Sequence, residues 1–189
     1  MHIGRRAFKA SVALLAAAVL GLTGVAFATS ASGDTNAVAF NGFELGPDQA
    51  WYSASVESAL GAAHTGVGAL KVSTTGAWGS GVQTSNWPGY AGIVAGTQYD
   101  ASVWYREDTA TMPTVTWTLR WTDDSGNQVG TSPVSMPRAT AWTQASATVT
   151  APAGATHLRW TYTWAAPAAG PAFLLDDESV ITHGPEHGP

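Results

Sequence analysis

Along two stretches of this chain, large apolar side chains alternate with threonine or arginine at every step: Val115-Thr116-Trp117-Thr118-Leu119-Arg120-Trp121-Thr122 and Leu158-Arg159-Trp160-Thr161-Tyr162-Thr163-Trp164. A period of two is the mark of a half-buried strand. The apolar sets (Val115, Trp117, Leu119, Trp121; Leu158, Trp160, Tyr162, Trp164) must face a core, because the opposite orientation would sink Arg120 and Arg159 into an apolar interior. The same alternation runs through residues 99–106, with Ala101, Val103 and Tyr105 inward and Asp100, Ser102, Trp104 and Arg106 outward. About ten short stretches of strand character lie between Val38 and Ile181, separated by turn chemistry at Gly46-Pro47-Asp48, Trp87-Pro88-Gly89, residues 123–127, Pro152-Ala153-Gly154 and residues 167–171. That spacing predicts a single all-β domain, a sandwich or a barrel. No helical period longer than two turns occurs after residue 28, and no internal repeat.

The first 28 residues break this pattern. Arg5, Arg6 and Lys9 precede an Ala/Leu/Val-rich run that ends at Ala26-Phe27-Ala28, a small-x-small cleavage site, so a secretory signal peptide removed near Ala28 is expected. Ser11, Gly21, Thr23 and Gly24 interrupt the run, which barely reaches the roughly 20 apolar residues of a spanning helix. The Arg-Arg start also resembles a twin-arginine signal. Residues 29–36 are expected to be a flexible segment, residues 37–182 the domain, and the Gly/Pro-rich residues 183–189 a disordered tail.

Charge and cysteine content narrow the partners. The chain has 13 acidic and 8 basic residues and a formal net charge of −5. Three of the basic residues belong to the leader, so a mature chain would carry about −8, which argues against nucleic acid or an anionic membrane surface. With no cysteine, disulfides cannot help, and a monomeric extracellular domain of about 150 residues must rely on its core or on a metal. Only 11% of residues are charged, so the surface is hydroxylated rather than ionic.

An indole on a hydroxylated face suits a sugar, whose C–H face stacks on the ring while its hydroxyl rim hydrogen-bonds. Stacking of this kind contributes about 0.5–1.5 kcal/mol per ring, by analogy with aromatic pairs. Trp78, flanked by glycines in Thr75-Gly76-Ala77-Trp78-Gly79-Ser80-Gly81, is expected to be exposed. Trp104 stands on the polar side of its strand, exposed unless a neighbouring loop covers it or the strand has the reverse phase. With them, Gln83, Arg106, Thr118, Arg120, Arg159, Thr161 and Thr163 form the candidate carbohydrate-binding set. Trp87 and Tyr90 are placed for a rim or for lids on the core, and Trp51 and Trp142, which open strands, read as structural.

Taken in order, Asn41-Gly42-Phe43-Glu44, Trp51, residues 64–72 (His-Thr-Gly-Val-Gly-Ala-Leu-Lys-Val), residues 95–106, Trp142 to Pro152 and Phe173-Leu174-Leu175-Asp176-Asp177-Glu178 resemble the carbohydrate-binding modules of families four, nine and twenty-two. The resemblance covers roughly residues 37–182. It implies a β-sandwich, a jelly roll of two antiparallel sheets, that binds soluble polysaccharide or oligosaccharide chains of the xylan or β-glucan type in an open groove. It places Trp78 at a sugar-stacking position. It departs from the family on the strand of Arg159, Thr161 and Thr163, where a carboxylate is missing. It also implies a structural Ca2+ held by Glu44 and Asp176 or Asp177, with backbone oxygens near Thr65 and Gly66. Such a hard cation takes six to eight oxygen ligands.

Two other classes compete. A jelly-roll glycosidase would need two carboxylates roughly 5–9.5 Å apart in a groove, and no strand motif supplies them. Asp123 and Asp124 belong to a turn, Glu107 and Asp108 to a strand end, and His64 and His157 lack a nucleophile partner. An envelope or adhesion protein would use the same sandwich against a protein, since threonine rows are also simply good β-formers.

Overall fold

The computed structural model of the chain describes residues 35–36, 42–44, 56–73, 81–83, 88–108, 112–165 and 171–182. Its eleven strands are β1 (Thr35–Asn36), β2 (Val56–Leu60), β3 (Gly68–Ser73), β4 (Gly81–Gln83), β5 (Tyr90–Ala91), β6 (Gln98–Glu107), β7 (Val115–Thr122), β8 (Gln128–Met136), β9 (Thr143–Thr150), β10 (His157–Trp164) and β11 (Ala172–Thr182). There is no helix among the described residues. One sheet has six strands in the order β2-β3-β11-β6-β9, with β1 also paired to β11. The other has five, ordered β4-β10-β7-β8, with β5 continuing the β4 edge along β10. All pairings are antiparallel. From β3 onward the chain passes from one sheet to the other at nearly every connection, which is the winding of a β-sandwich of jelly-roll type.

The alternation predicted from sequence sets the layers. Val115, Trp117, Leu119 and Trp121 on β7, and Leu158, Trp160, Tyr162 and Trp164 on β10, are all buried. They meet Tyr99, Ala101, Val103 and Tyr105 of β6 and Phe173, Leu175 and Val180 of β11 in one core. Trp117 and Tyr162, cross-strand partners, lie nearly parallel with centroids 6.1 Å apart. Tyr99 and Trp121 approach to 5.9 Å across the sandwich, and Trp164 meets Phe173 edge-on at 5.7 Å. Each such pair adds about 0.5–1.5 kcal/mol beyond its buried area.

Two details differ from the sequence expectation. Thr35 and Asn36, the last residues of the expected flexible N-terminal segment, pair with Thr182 and Ile181 of β11, so the sheet starts before residue 37. The 123–127 turn is as expected: Asp123 Oδ1 accepts the N–H groups of Ser125 and Asn127 at 2.9 and 2.8 Å. In β11 the register against β6 slips between Asp176 and Ser179, and Asp177 adopts φ 45°, the left-handed region. This bulge turns Glu178 inward. The signal peptide, Trp51, Trp78, Trp87 and the C-terminal tail lie outside the described residues.

Candidate functional site

The outer face of the five-stranded sheet gathers most of the candidate residues. Because the ladder is antiparallel, directly opposed residues point the same way, and the register writes out rows. Gln83, Thr161, Thr118 and Pro133 form one; Arg159, Arg120 and Thr131 the next; Thr163, Thr116 and Ser135 a third, beyond the first. Thr163, Thr131, Pro133 and Ser135 are exposed, and Thr118, Thr161, Arg120 and Arg159 are half-buried. Arg120 Nε donates to Gln128 Oε1 at 2.9 Å. Burial, and then the positive charge of Arg120, hold the Arg159 guanidinium below its usual pKa. At one end of the face, Thr122 Oγ1 donates to the Pro88 carbonyl at 2.7 Å, fastening the 88–91 segment alongside β10. Gly89 is required there: φ is 137° and a Cβ would lie 2.7 Å from the Leu158 carbonyl oxygen. Tyr90 turns inward and stacks on Trp160 at 4.9 Å, a lid on the core rather than a rim.

Trp104 and Arg106 stand elsewhere. They belong to β6, on the outer face of the six-stranded sheet, on the opposite side of the sandwich from Arg120 and Arg159. Trp104 is half-buried under His64, ring centroids 3.9 Å apart and planes 15° from parallel. The covering loop anticipated for this indole is therefore residues 61–67, which join β2 to β3. Trp142 meets His64 edge-on at 5.5 Å, and the Arg106 guanidinium lies 5.3 Å from the Trp142 centroid. One continuous binding face containing both Trp104 and Thr118 is thus not formed. Of the expected set, Gln83, Thr118, Arg120, Arg159, Thr161 and Thr163 are brought together by backbone register, Trp104 and Arg106 are set apart, and Trp78 lies outside the described residues.

The expected metal ligands converge on that same 61–67 loop. Asp176 Oδ2 accepts the N–H groups of His64 and Thr65 at 2.7 and 3.2 Å. Asp177 Oδ1 accepts the Thr65 hydroxyl at 2.6 Å, and Oδ2 lies 2.7 Å from His64 Nδ1. Glu44 Oε2 accepts Val67 N–H at 2.9 Å, and its carboxylate occupies the space over Gly66, where a Cβ would be 1.9 Å from Oε1. Burial, then the neighbouring Asp177 charge, push Asp176 up to about 6. Carboxylates from both ends of the chain therefore latch one loop, a donor chemistry that suits calcium. Among the described residues, no group of three or more His, Asp or Glu side chains is disposed to hold a metal ion. The latch as it stands is made by N–H and O–H donors.

Three further acidic groups among the described residues are engaged by partners. Glu107 is bound to Arg138 at 2.9 and 3.2 Å and Asp108 to Lys71 at 3.3 Å. Glu178 is buried in the core and accepts the Tyr162 hydroxyl from the opposite sheet; burial raises its carboxyl to about 8. The described rows of the five-stranded face can donate and accept hydrogen bonds. They present no carboxylate pair for acid–base chemistry.

Solved structures give the fold a family context. The CBM22-1 xylan-binding domain from Paenibacillus barcinonensis Xyn10C superposes with a TM-score of 0.60 at 18% identity, over 82% of this chain and 98% of that domain. The chain shares the β-sandwich fold of that domain. The enzymatically active domain of bacteriophage CBA120 tailspike protein 4 matches with a TM-score of 0.62 at 11% identity over 78% of this chain. The CBM22-1–GH10 modules of Clostridium thermocellum endo-1,4-beta-D-xylanase 10B, complexed with xylohexaose, match at 0.58 and 18% identity, also over 78%. This chain spans only 21% and 28% of those two longer chains. No protein-family model and no curated protein sequence matches.

Sequence reasoning missed partnerships between residues distant in the chain. His64 had no visible role because its partners, Trp104 and Asp177, are far along the chain, and Gln128 gave no sign of meeting Arg120. Only cross-strand register could have shown either.

Proposed function

We propose that this protein is a non-catalytic carbohydrate-binding module that holds a polysaccharide chain across the outer face of its five-stranded sheet. The observation that carries the reading is the pair of adjacent rows Gln83-Thr161-Thr118 and Arg159-Arg120. The threonine hydroxyls and the arginine guanidinium groups there stand on the outer face of strands packed on an aromatic core, and Gln83 joins the first row by backbone register. The fold shared with a xylan-binding domain over nearly that domain's whole length supports it. Trp78, in the connection leading into edge strand β4, is the proposed stacking platform. Trp104 and Arg106 leave the proposed site, since they lie on the other side of the sandwich. Ca2+ is proposed at Glu44, Asp176 and Asp177, where it would reinforce the latch on the 61–67 loop. Export through the N-terminal leader and action as an extracellular monomer complete the reading.

Affinity electrophoresis with xylan, laminarin, cellulose derivatives and galactans tests it. One ring platform and a few hydrogen bonds predict Kd of roughly micromolar to millimolar, hence visible retardation by at least one polymer. Trp78→Ala should abolish the retardation with the circular dichroism spectrum unchanged. Failure of every polymer to retard the protein, or release of reducing sugar from any of them, would overturn the reading.

A further inference from the structure

A strand at the end of a sheet leaves one row of backbone groups unpaired, and proteins blunt such edges with short strands, charge, proline or bulges. Among the described residues, three of the sheet ends follow that rule. β2 has five residues and carries Glu57. β4 and β5, which share an edge, have three and two residues. β8 contains Pro133, and its register against β7 slips between Trp121 and Thr122. The fourth end, β9, has none of these devices: its eight residues include no charge and no proline, and they pair with β6 without interruption from Tyr105–Thr143 to Gln98–Thr150. Ala151, just past the strand, shows which groups are left over. Its N–H donates to Thr97 O at 3.0 Å and its carbonyl accepts Gly96 N–H at 2.8 Å, both on the β6 side. Successive residues of a strand turn their backbone groups to opposite edges, so Gln144, Ser146, Thr148 and Thr150 aim theirs away from the sheet. Beyond the ladder, the hydrogen bonds of β9 among the described residues are Thr143 Oγ1 to Ala141 O and Thr148 Oγ1 to Asp100 Oδ1. Neither uses those backbone groups.

We infer that β9 is the pairing surface for a second copy of this chain, joined antiparallel about a twofold axis at Ser146 when copies are gathered on polysaccharide. The edge itself specifies the pairing; its use rests on the carbohydrate-binding reading above. With Ser146 opposite its own copy, Gln144 meets Thr148 of the second copy, and the outward groups at these positions exchange N–H···O=C bonds. On the core side Ala145 meets Ala147 of the second copy, so small side chains abut and no like charges are opposed along the seam. The axis is perpendicular to the six-stranded sheet, and rotation about it leaves the sheet normal unchanged. Both five-stranded faces therefore look the same way, holding polymer segments of opposite direction on neighbouring chains or on one chain that folds back. One strand pair buries less than the roughly 1,000 Å² of a stable interface, which keeps the free chain monomeric. Copies tethered to shared polymer reach effective concentrations of about millimolar, where the pair forms. The net charge of −5 on each copy is screened over about 8 Å at physiological ionic strength, and β9 adds nothing to it.

Because the chain has no cysteine, an introduced thiol reports on one contact alone. Residues of a hydrogen-bonded antiparallel pair have Cα atoms about 5.5 Å apart, within the roughly 4.4–6.8 Å that a disulfide spans, so Ser146→Cys is trapped where the axis passes. Ser58→Cys, exposed on edge strand β2, is the control. Under diamide, Ser146→Cys should give a disulfide-linked dimer at about millimolar protein without polymer. At about micromolar protein, soluble xylan, laminarin or galactan, whichever retards the wild-type chain, should raise the linked fraction about tenfold. Ser58→Cys should respond to neither condition. Equal linkage of the two variants, or none for Ser146→Cys in either condition, would overturn the inference. Linkage at high concentration that a retarding polymer does not raise would overturn the pairing on polysaccharide and leave the carbohydrate-binding reading standing. Linkage at high concentration by a chain that no polymer retards would uphold the β9 edge and overturn the carbohydrate-binding reading.

Discussion

A carboxyl group inside a β-sandwich persists only if something satisfies it, and for Glu178 that is the hydroxyl of Tyr162, reaching across from the other sheet. Burial keeps the carboxyl protonated well above the usual carboxylate range, at about 8, so the interior holds a hydrogen bond rather than a charge. Tyr162→Phe keeps the ring in place against Trp117 and removes the partner. The expected loss is about 1–3 kcal/mol, the cost of an unsatisfied buried polar group. At this chain length, each ~1 kcal/mol lowers Tm by about 2–4 °C, so calorimetry resolves it; an unchanged Tm would refute the role. Removing apolar volume is costlier: Trp117→Ala should lose about 3–5 kcal/mol. His64 acts on the opposite surface, as the cover of Trp104. His64→Ala should raise the fraction of tryptophan emission quenched by acrylamide, and Trp104→Phe in the same background should remove that increase. No increase would mean that other residues shield the indole.

At the scale of elements, loops and bulges decide what the strands present. The 61–67 loop is latched by Glu44, Asp176 and Asp177, and calcium binding there predicts a Tm several degrees lower in EDTA, because a ligand of the native state alone stabilises it. An unchanged melt would leave the latch as hydrogen bonds only. The 123–127 turn offers a pH test. Its Asp123 carboxyl is held below the usual range, first by the Asn127 side chain and then by backbone N–H groups. A depressed carboxylate contributes stability above its unfolded pKa of about 3.9 and loses it as pH falls through the folded value. Wild-type Tm should therefore drop more than that of Asp123→Asn on acidification below about pH 4; parallel profiles would contradict this. Strand phase was legible in the residues themselves: Trp117-Thr118-Leu119-Arg120 states which side is wet without reference to any partner. The sheet to which each strand belongs was not. β6 and β7 show the same alternation, yet their outer residues leave the sandwich on opposite sides, and so Trp104 parted company with Thr118. The β11 bulge was equally hidden, since Asp176-Asp177-Glu178 reads as one acidic run while the backbone sends Asp176 and Glu178 to opposite faces.

For the whole molecule, the two outer faces have different fates. That of the six-stranded sheet carries its own cover, with His64 on Trp104 and the 61–67 loop on Asp176. That of the five-stranded sheet offers threonine, glutamine and arginine on strands without such a loop among the described residues. The jelly-roll class was readable from strand spacing and the ordered motifs, because both are written along the chain. The rows of the five-stranded face were not, because Arg120 and Arg159 become neighbours only when β7 and β10 pair. The most direct test compares the two faces in one native gel containing the polysaccharide that best retards the wild-type protein. Thr161→Glu places a charge in the centre of the five-stranded face, and Gln144→Glu places the same charge on exposed β9 of the six-stranded face. Retardation lost in Thr161→Glu and kept in Gln144→Glu, relative to matched gels without polymer, is the predicted result; retardation kept in Thr161→Glu and lost in Gln144→Glu would contradict it.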